Sequence, residues 1–156
     1  MTATTVVRPA RADDLPALIA LLKLAELPVA DLQAPAAVSP TDFFVALSAG
    51  RIVGGVGLER HGGAGLLRSL VVSPEARGRG LGSTLLGAVE THARRSGLLS
   101  LTLLTQSAVA FFERHGYAAV DRSLAPAEVL ASEQFTRLCP SDSICMMRPL
   151  SAQTPR

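Results

Sequence analysis

The stretch from Leu66 to Glu90, LLRSLVVSPEARGRGLGSTLLGAVE, decides how this chain is organised. LLRSLVV has the β-branched and aliphatic content of a strand, and Ser73-Pro74 ends it. Arg77-Gly78-Arg79-Gly80-Leu81-Gly82 then runs straight into a helical pattern in which Leu81, Leu85, Ala88, Val89 and His92 share one face and Gly97 closes the helix. Glycines at alternate positions allow a tight backbone turn and leave its amides uncovered. The first amides of a helix have no internal partner and sit at its positive end, so they suit an anion such as a pyrophosphate. Arg77 and Arg79 add positive charge beside them.

Other Gly-rich anion loops fail on spacing. A P-loop ends in Gly-Lys-Ser/Thr, and here Ser83 follows Gly82 with no lysine between. A dinucleotide fingerprint needs its third glycine one position beyond Gly82. An RG repeat in a disordered RNA-binding segment would not be wedged between two well-patterned elements. A tight strand–helix turn without any ligand is the remaining alternative.

Outward from this core, Thr4–Arg8 alternates like a strand, Asp13 offers an N-cap, and Leu15, Leu18, Ile19 and Leu22 follow at helical spacing. Residues 27–40 carry three prolines and no sustained period, which predicts a loop. Phe43–Ser48 and Arg51–Glu59 predict a hairpin around Ala49-Gly50, with His61-Gly62-Gly63 as the next turn. Gly54, Gly55 and Gly57 would weaken the second strand unless something must approach it closely. Downstream come a strand at Leu99–Leu104, a short helix capped by Ser107, a strand at Tyr117–Val120, helical turns within Pro126–Leu138 and a last strand at Ile144–Arg148. Hairpins first and helix–strand alternation later make an α+β sheet, expected as one domain over residues 1–150 with a flexible tail at 151–156.

Composition narrows the function classes. A chain of 156 residues, 48% hydrophobic and 18% charged, is long and apolar enough for a continuous core. A net charge of +2 without any long Lys/Arg block argues against nucleic acid as the main partner. No stretch has the length of a membrane span and the N-terminus lacks an apolar signal segment, so the expected location is the cytoplasm. Cys139 and Cys145 stand six positions apart without a histidine cluster, and His61, His92 and His115 are scattered. No metal site is expected, and burial of the thiols as small apolar groups is favoured over binding a thiophilic metalloid.

Arg77-x-x-Gly80-x-Gly82 after a hydrophobic strand resembles the acetyl-coenzyme A motif of the GNAT acetyltransferase superfamily. Downstream, Ser107-Ala108-x-x-Phe111-Phe112-x-x-x-Gly116-Tyr117 resembles that superfamily's second cofactor motif. The order and spacing of the pair make it more specific than either alone, and the resemblance covers Thr5 to about Leu150. It implies the GNAT fold, a strongly twisted mixed β-sheet of six to seven strands with helices on both faces. It also implies N-acetyl transfer from acetyl-CoA, as cosubstrate, to a small amine. LPVADL, LLRSLVV and the ending PAEVLASEQFTRLCPSDSICMMRPL further resemble the GNAT proteins of bacterial arsenic-resistance operons. That points to an amino acid or an amino-acid-like, organoarsenical acceptor in an arsenic or toxin resistance setting.

By the same resemblance, the backbone of Leu70 and Val72 would pair with the pantetheine arm. The amides of Arg77, Gly78, Arg79, Gly80, Leu81, Gly82 and Ser83 would hold the pyrophosphate, and Ser107, Phe111 and Phe112 would contribute from the second motif. Glu59 is the candidate base, with a surface carboxylate at a hairpin end as its alternative. Arg68 interrupts an apolar strand and must face a carboxylate or an opening. Arg68 and Ser69 are therefore candidates for binding the acceptor, with internal pairing of Arg68 to Glu59 as the rival reading. The family's usual acid, a tyrosine, is replaced by Phe112. This keeps open a catalytically weak, acetyl-CoA-binding regulatory protein, beside a protein lysine or N-terminal acetyltransferase. The sequence leaves the oligomeric state open; the resemblance allows a homodimer paired through sheet edges or the C-terminal strand ICMMR.

Overall fold

A computed structural model describes residues 5–27, 29, 41–132, 135–136 and 143–150. Among them are seven strands, β1 (Thr5–Pro9), β2 (Thr41–Ser48), β3 (Arg51–His61), β4 (Ala64–Val72), β5 (Ser100–Thr105), β6 (Ala118–Val120) and β7 (Ile144–Pro149). The helices are α1 (Leu15–Leu24), α2 (Leu81–Arg95), α3 (Val109–Arg114) and α4 (Ala127–Leu130). The strands form one mixed sheet in the order β1-β2-β3-β4-β5-β7-β6. The described chain divides into two compact units, Met1–Leu58 with Ser69–Thr91, and Glu59–Arg68 with His92–Arg156.

In the first unit β1 pairs antiparallel with β2 from Thr5↔Ser48 to Pro9↔Phe44. Ala49 (φ +52) and Gly50 (φ +76) turn β2 into β3; positive φ at both central residues matches the right-handed twist of a hairpin. Gly54 and Gly55 of β3 sit where neighbouring elements approach closely. A Cβ on Gly54 would lie 2.9 Å from the Val71 carbonyl and 3.1 Å from Leu85 Cδ1, and one on Gly55 would strike Leu18 Cδ1. Successive strand residues face opposite sides, so α1, carrying Leu18, and α2, carrying Leu85, pack on opposite faces of β3. Leu18, Leu22 and Val71 form one buried cluster with Phe43 against it. On α2, Leu81, Leu85, Leu86, Val89 and Ala93 make the buried stripe.

Helix α1 corrects one expectation. Asp13 is not its cap: a 3₁₀ turn, Ala12–Asp14, precedes the helix and Asp14 stands at the N-cap position. The Asp14 carboxylate accepts from Arg8 Nη1 (2.7 Å) and Nη2 (3.1 Å) and from the Arg11 amide (2.7 Å). The Arg8 hydrogen bond, then the Arg11 amide, hold this carboxyl at about 2. A lowered folded-state value means the contribution is complete above the ordinary carboxyl range and is lost as pH falls through about 2. Asp14→Ala is therefore expected to lower Tm at neutral pH, and the difference from the parent protein should vanish in acid near pH 2, read by circular dichroism melts across pH.

In the second unit β4 pairs parallel with β5, and β7 pairs antiparallel with both β5 and β6. Cys145–Met147 are thus paired on both sides, so the middle of the C-terminal strand is not a free edge for dimer pairing. Ala64, Leu66, Ala125, Val129, Phe135 and Cys145 form its core. Burial pushes the Cys145 thiol up, as expected for a packed rather than a reactive cysteine. Cys139, residues 28 and 30–32 of the LPVADL run and the 151–156 tail lie outside the described residues. Gly97 (φ +80) ends α2, with the Leu98 amide on the Ala93 carbonyl (3.0 Å), a left-handed glycine stop.

Candidate active site

The anion loop is built by the exit from β4. Ser73 donates its amide to the Val53 carbonyl (2.7 Å), and a single 3₁₀ turn, Pro74–Ala76, opens with the proline that ended the strand pattern. Arg77 Nε donates to the Val72 carbonyl (3.2 Å), so one lone pair of that carbonyl is already used. Gly78 (φ +82) and Gly80 (φ +74) are left-handed, and a Cβ on either would meet nothing within 4 Å. Their glycine identity answers a backbone conformation, and the space beside them is open.

Helix α2 begins at Leu81, and Thr84 closes the first turn by donating its amide (3.1 Å) and its hydroxyl (3.0 Å) to the Gly80 carbonyl. Thr84 is thereby helix surface. This opening turn is the positive end of a 15-residue helix. Arg77, Arg79 and Ser83 are exposed there. Guanidiniums beside a helix start are a donor set that fits a diphosphate.

The second unit carries a buried polar cluster. Glu59 and Arg68 are 6% and 5% exposed and form an ion pair, Arg68 Nη1 to Glu59 Oε2, at 2.9 Å. The other carboxylate oxygen, Oε1, lies 2.9 Å from His61 Nε2. The internal partner weighed for Arg68 is the one observed: its guanidinium is turned onto Glu59 inside the protein, not toward an open face. His61 was expected to be a turn residue with a structural role, but β3 continues through it, so Glu59 and His61, two apart on a strand, share a face.

Ser69 follows Arg68 with φ +60, a left-handed serine inside a strand. Such a residue costs about 1–3 kcal/mol and breaks the regular ladder around it. The β4–β5 ladder joins Ala64, Gly65 and Leu66 to Ser100, Leu101 and Thr102 and stops, although β4 runs on to Val72 and β5 to Thr105.

The second motif folds around aromatics. Phe112 is 4% exposed and meets Phe111 (5.2 Å, 82°) and Tyr117 (5.5 Å, 70°) edge to face. Phe111 is half-buried and lies against the His115 ring at 4.5 Å. Ser107 is exposed and does not cap α3; Ala108 occupies that position and donates its amide to Thr105 Oγ1 (3.1 Å). Tyr117, the one tyrosine of the chain, is buried at 3% exposure. Among the described residues no group of three or more His, Cys, Asp or Glu side chains is arranged to hold a metal, and no helix is long and apolar enough to cross a membrane.

Comparison with known proteins agrees with this geometry. Residues 39–119 match the family described as acetyltransferase (GNAT) domain. An IAA acetyltransferase of Azospirillum brasilense is 34% identical over 82 residues, which are 49% of this chain and 54% of that protein. The matched segment thus spans about half the length of this curated relative. N-acetylglutamate synthase from Neisseria gonorrhoeae, solved with coenzyme A and N-acetyl-glutamate, superposes with a TM-score of 0.78 at 20% identity, covering 97% of this chain and 36% of that one. A Mycobacterium tuberculosis protein solved with CoA and NLQ superposes with a TM-score of 0.76 at 24% identity, covering 94% and 99% of the two chains. With the glycine-turned helix start on β4 and the seven-stranded mixed sheet, the family match leads to one assignment: the chain belongs to the GNAT acetyltransferases.

Proposed function

We propose that this chain is an acetyl-CoA-dependent N-acetyltransferase whose acceptor is a small, amino-acid-like amine. The observation that carries the reading is the open, left-handed Gly78/Gly80 turn leading into the first amides of α2. In this reading the amides of Arg77–Ser83 hold the pyrophosphate, with Arg77 and Arg79 adding charge. The β4 backbone at Leu70 and Val72 takes the pantetheine arm, and Ser107 and Phe111 border the cofactor from the second motif. Phe112 supports that motif from the core. Glu59 lies on the path by which the acceptor loses its proton, Arg68 holds Glu59 in place, and Ser69 faces the acceptor.

The amino-acid character of the acceptor draws on the structural relative solved with N-acetyl-glutamate and on the resemblance to arsenic-operon acetyltransferases. Organoarsenical amino-acid analogues belong to the same acceptor class, and the cytoplasm is the proposed location. A regulatory coenzyme A binder is the second reading. It is favoured by Phe112, which has no proton to give to a leaving thiolate and is buried against Tyr117.

Calorimetry with acetyl-CoA tests cofactor binding, and release of free coenzyme A across amino acids and their phosphinic or arsinic analogues separates enzyme from sensor. Gly80→Val is the matching variant. A β-branched residue at φ +74 is a backbone outlier. Relaxation of the loop away from the left-handed angle relieves the strain in the free protein, so the about 1–2 kcal/mol of restoring the turn falls on binding and should weaken acetyl-CoA about tenfold with little change in Tm. No binding heat from the parent protein would overturn the reading.

A further inference from the structure

We infer that His61 is the group that takes the acceptor's proton, with Glu59 acting through it rather than directly; this rests on the acetyltransferase reading above. Both oxygens of Glu59 are engaged, Oε2 by Arg68 Nη1 and Oε1 by His61 Nε2, each at 2.9 Å. The side chains grade outward, with Arg68 2% exposed, Glu59 8% and His61 21%. The carboxylate is enclosed by its own partners, and the imidazole is the member of the trio that reaches solvent.

The chemistry of the trio fixes the proton positions. Arginine offers only donors, so Glu59 Oε2 accepts from Arg68 Nη1 and the carboxylate presents Oε1 to His61 as an acceptor. His61 Nε2 must therefore carry the hydrogen it shares with Glu59, and in the neutral ring Nδ1 is left with a lone pair. Among the described residues His61 Nδ1 has no hydrogen-bond partner. The arrangement is a base with an orienting carboxylate behind it, and that carboxylate is itself held in place by a guanidinium. Arg60 stands between Glu59 and His61 on β3, and Glu128 on α4 also approaches this turn, its carboxylate 3.6–3.8 Å from where a Cβ of Gly62 would sit. Histidine is the side chain whose charge changes in the physiological pH range, which suits it to collecting a proton from an ammonium and passing it on.

The step balances as follows. The acceptor's ammonium gives one proton to His61 Nδ1, and the freed amine attacks the thioester carbonyl. The C–N bond forms and the C–S bond breaks. The nitrogen's second proton goes to the departing thiolate, so the products are the amide and free coenzyme A. The imidazolium, steadied by Glu59, returns its proton to solvent.

The test uses the full chain. His61→Gln keeps an amide donor that can reach Glu59 but removes the base. It should lower kcat/KM by about 10²–10⁴ and erase the neutral-range inflection of the pH–rate profile, with melting and acetyl-CoA calorimetry unchanged. His61→Ala should regain activity when imidazole is added, a rescue that a merely structural histidine would not give. If the parent protein turns over acetyl-CoA while His61→Gln keeps its rate and pH profile, or His61→Ala is not rescued, the inference fails alone. If the parent protein turns over no amine at all, the acetyltransferase reading fails and this inference with it.

Discussion

Arg68→Met is expected to destabilise the protein by about 3–5 kcal/mol, because it strips a buried carboxylate of its cation while leaving the carboxylate in place. Glu59 is 6% exposed, and methionine fills much of the arginine's volume, so the loss would be electrostatic and not a cavity. The remaining partner of Glu59 would be His61, whose hydrogen bond does not replace the fixed charge of the guanidinium. Denaturant unfolding of Arg68→Met, of Glu59→Leu and of the double variant reads this directly. The double variant should recover most of what Arg68→Met alone loses, because an apolar pair of similar volume leaves no unmatched charge. Simple addition of the two single losses would show that Arg68 and Glu59 do not act as a pair.

The parts of the site that were legible in the sequence are those set by local backbone chemistry. A proline-ended strand, alternate glycines and an apolar helical stripe place the anion turn between β4 and α2, and Gly78 and Gly80 adopt the left-handed angles their identity allows. The glycines of β3 announce close approach, although not that two helices, on opposite faces, are what approaches. What stayed hidden is tertiary. Nothing in Arg68-Ser69-Leu70 marks Ser69 as the left-handed residue of the strand, since a serine there is disfavoured and is held only by its surroundings. Whether Arg68 meets a substrate or Glu59 depends on how two strands align. His61 was readable in principle: Glu-x-His on a strand puts both side chains on one face. The following Gly62-Gly63 drew the strand's predicted end back to Glu59, two residues short of where β3 stops. At α1 and α3 the short polar residues are present, but Asp14 serves Arg8 and Thr105 serves Ala108, roles that spacing alone does not separate from those expected of Asp13 and Ser107.

Glu59→Gln is expected to cost about 10²–10⁴ in kcat/KM while acetyl-CoA affinity stays within twofold of the parent, about the reproducibility of such a comparison. The argument lies in the proton map of the trio. Arg68 offers only donors, so the glutamine would turn its carbonyl oxygen toward Nη1 and leave its amide hydrogens facing His61 Nε2. That nitrogen, which donates to Glu59 in the parent, would have to accept instead, and the ring's one hydrogen would move to Nδ1. The nitrogen meant to receive the acceptor's proton would then already carry one. Loss of rate thus arises from the wrong tautomer rather than from loss of structure, and ¹⁵N NMR of the histidine ring should show the exchange from Nε2–H to Nδ1–H. The parent's activity should rise with pH as the acceptor and the base lose their protons, and the variant should lose the part of that rise that belongs to the base. A Glu59→Gln protein with unaltered rate and pH dependence would remove Glu59 from the reaction. It would leave the Arg68–Glu59–His61 cluster as a structural tie within the second unit, and acetyl transfer would then depend on a base elsewhere in the chain.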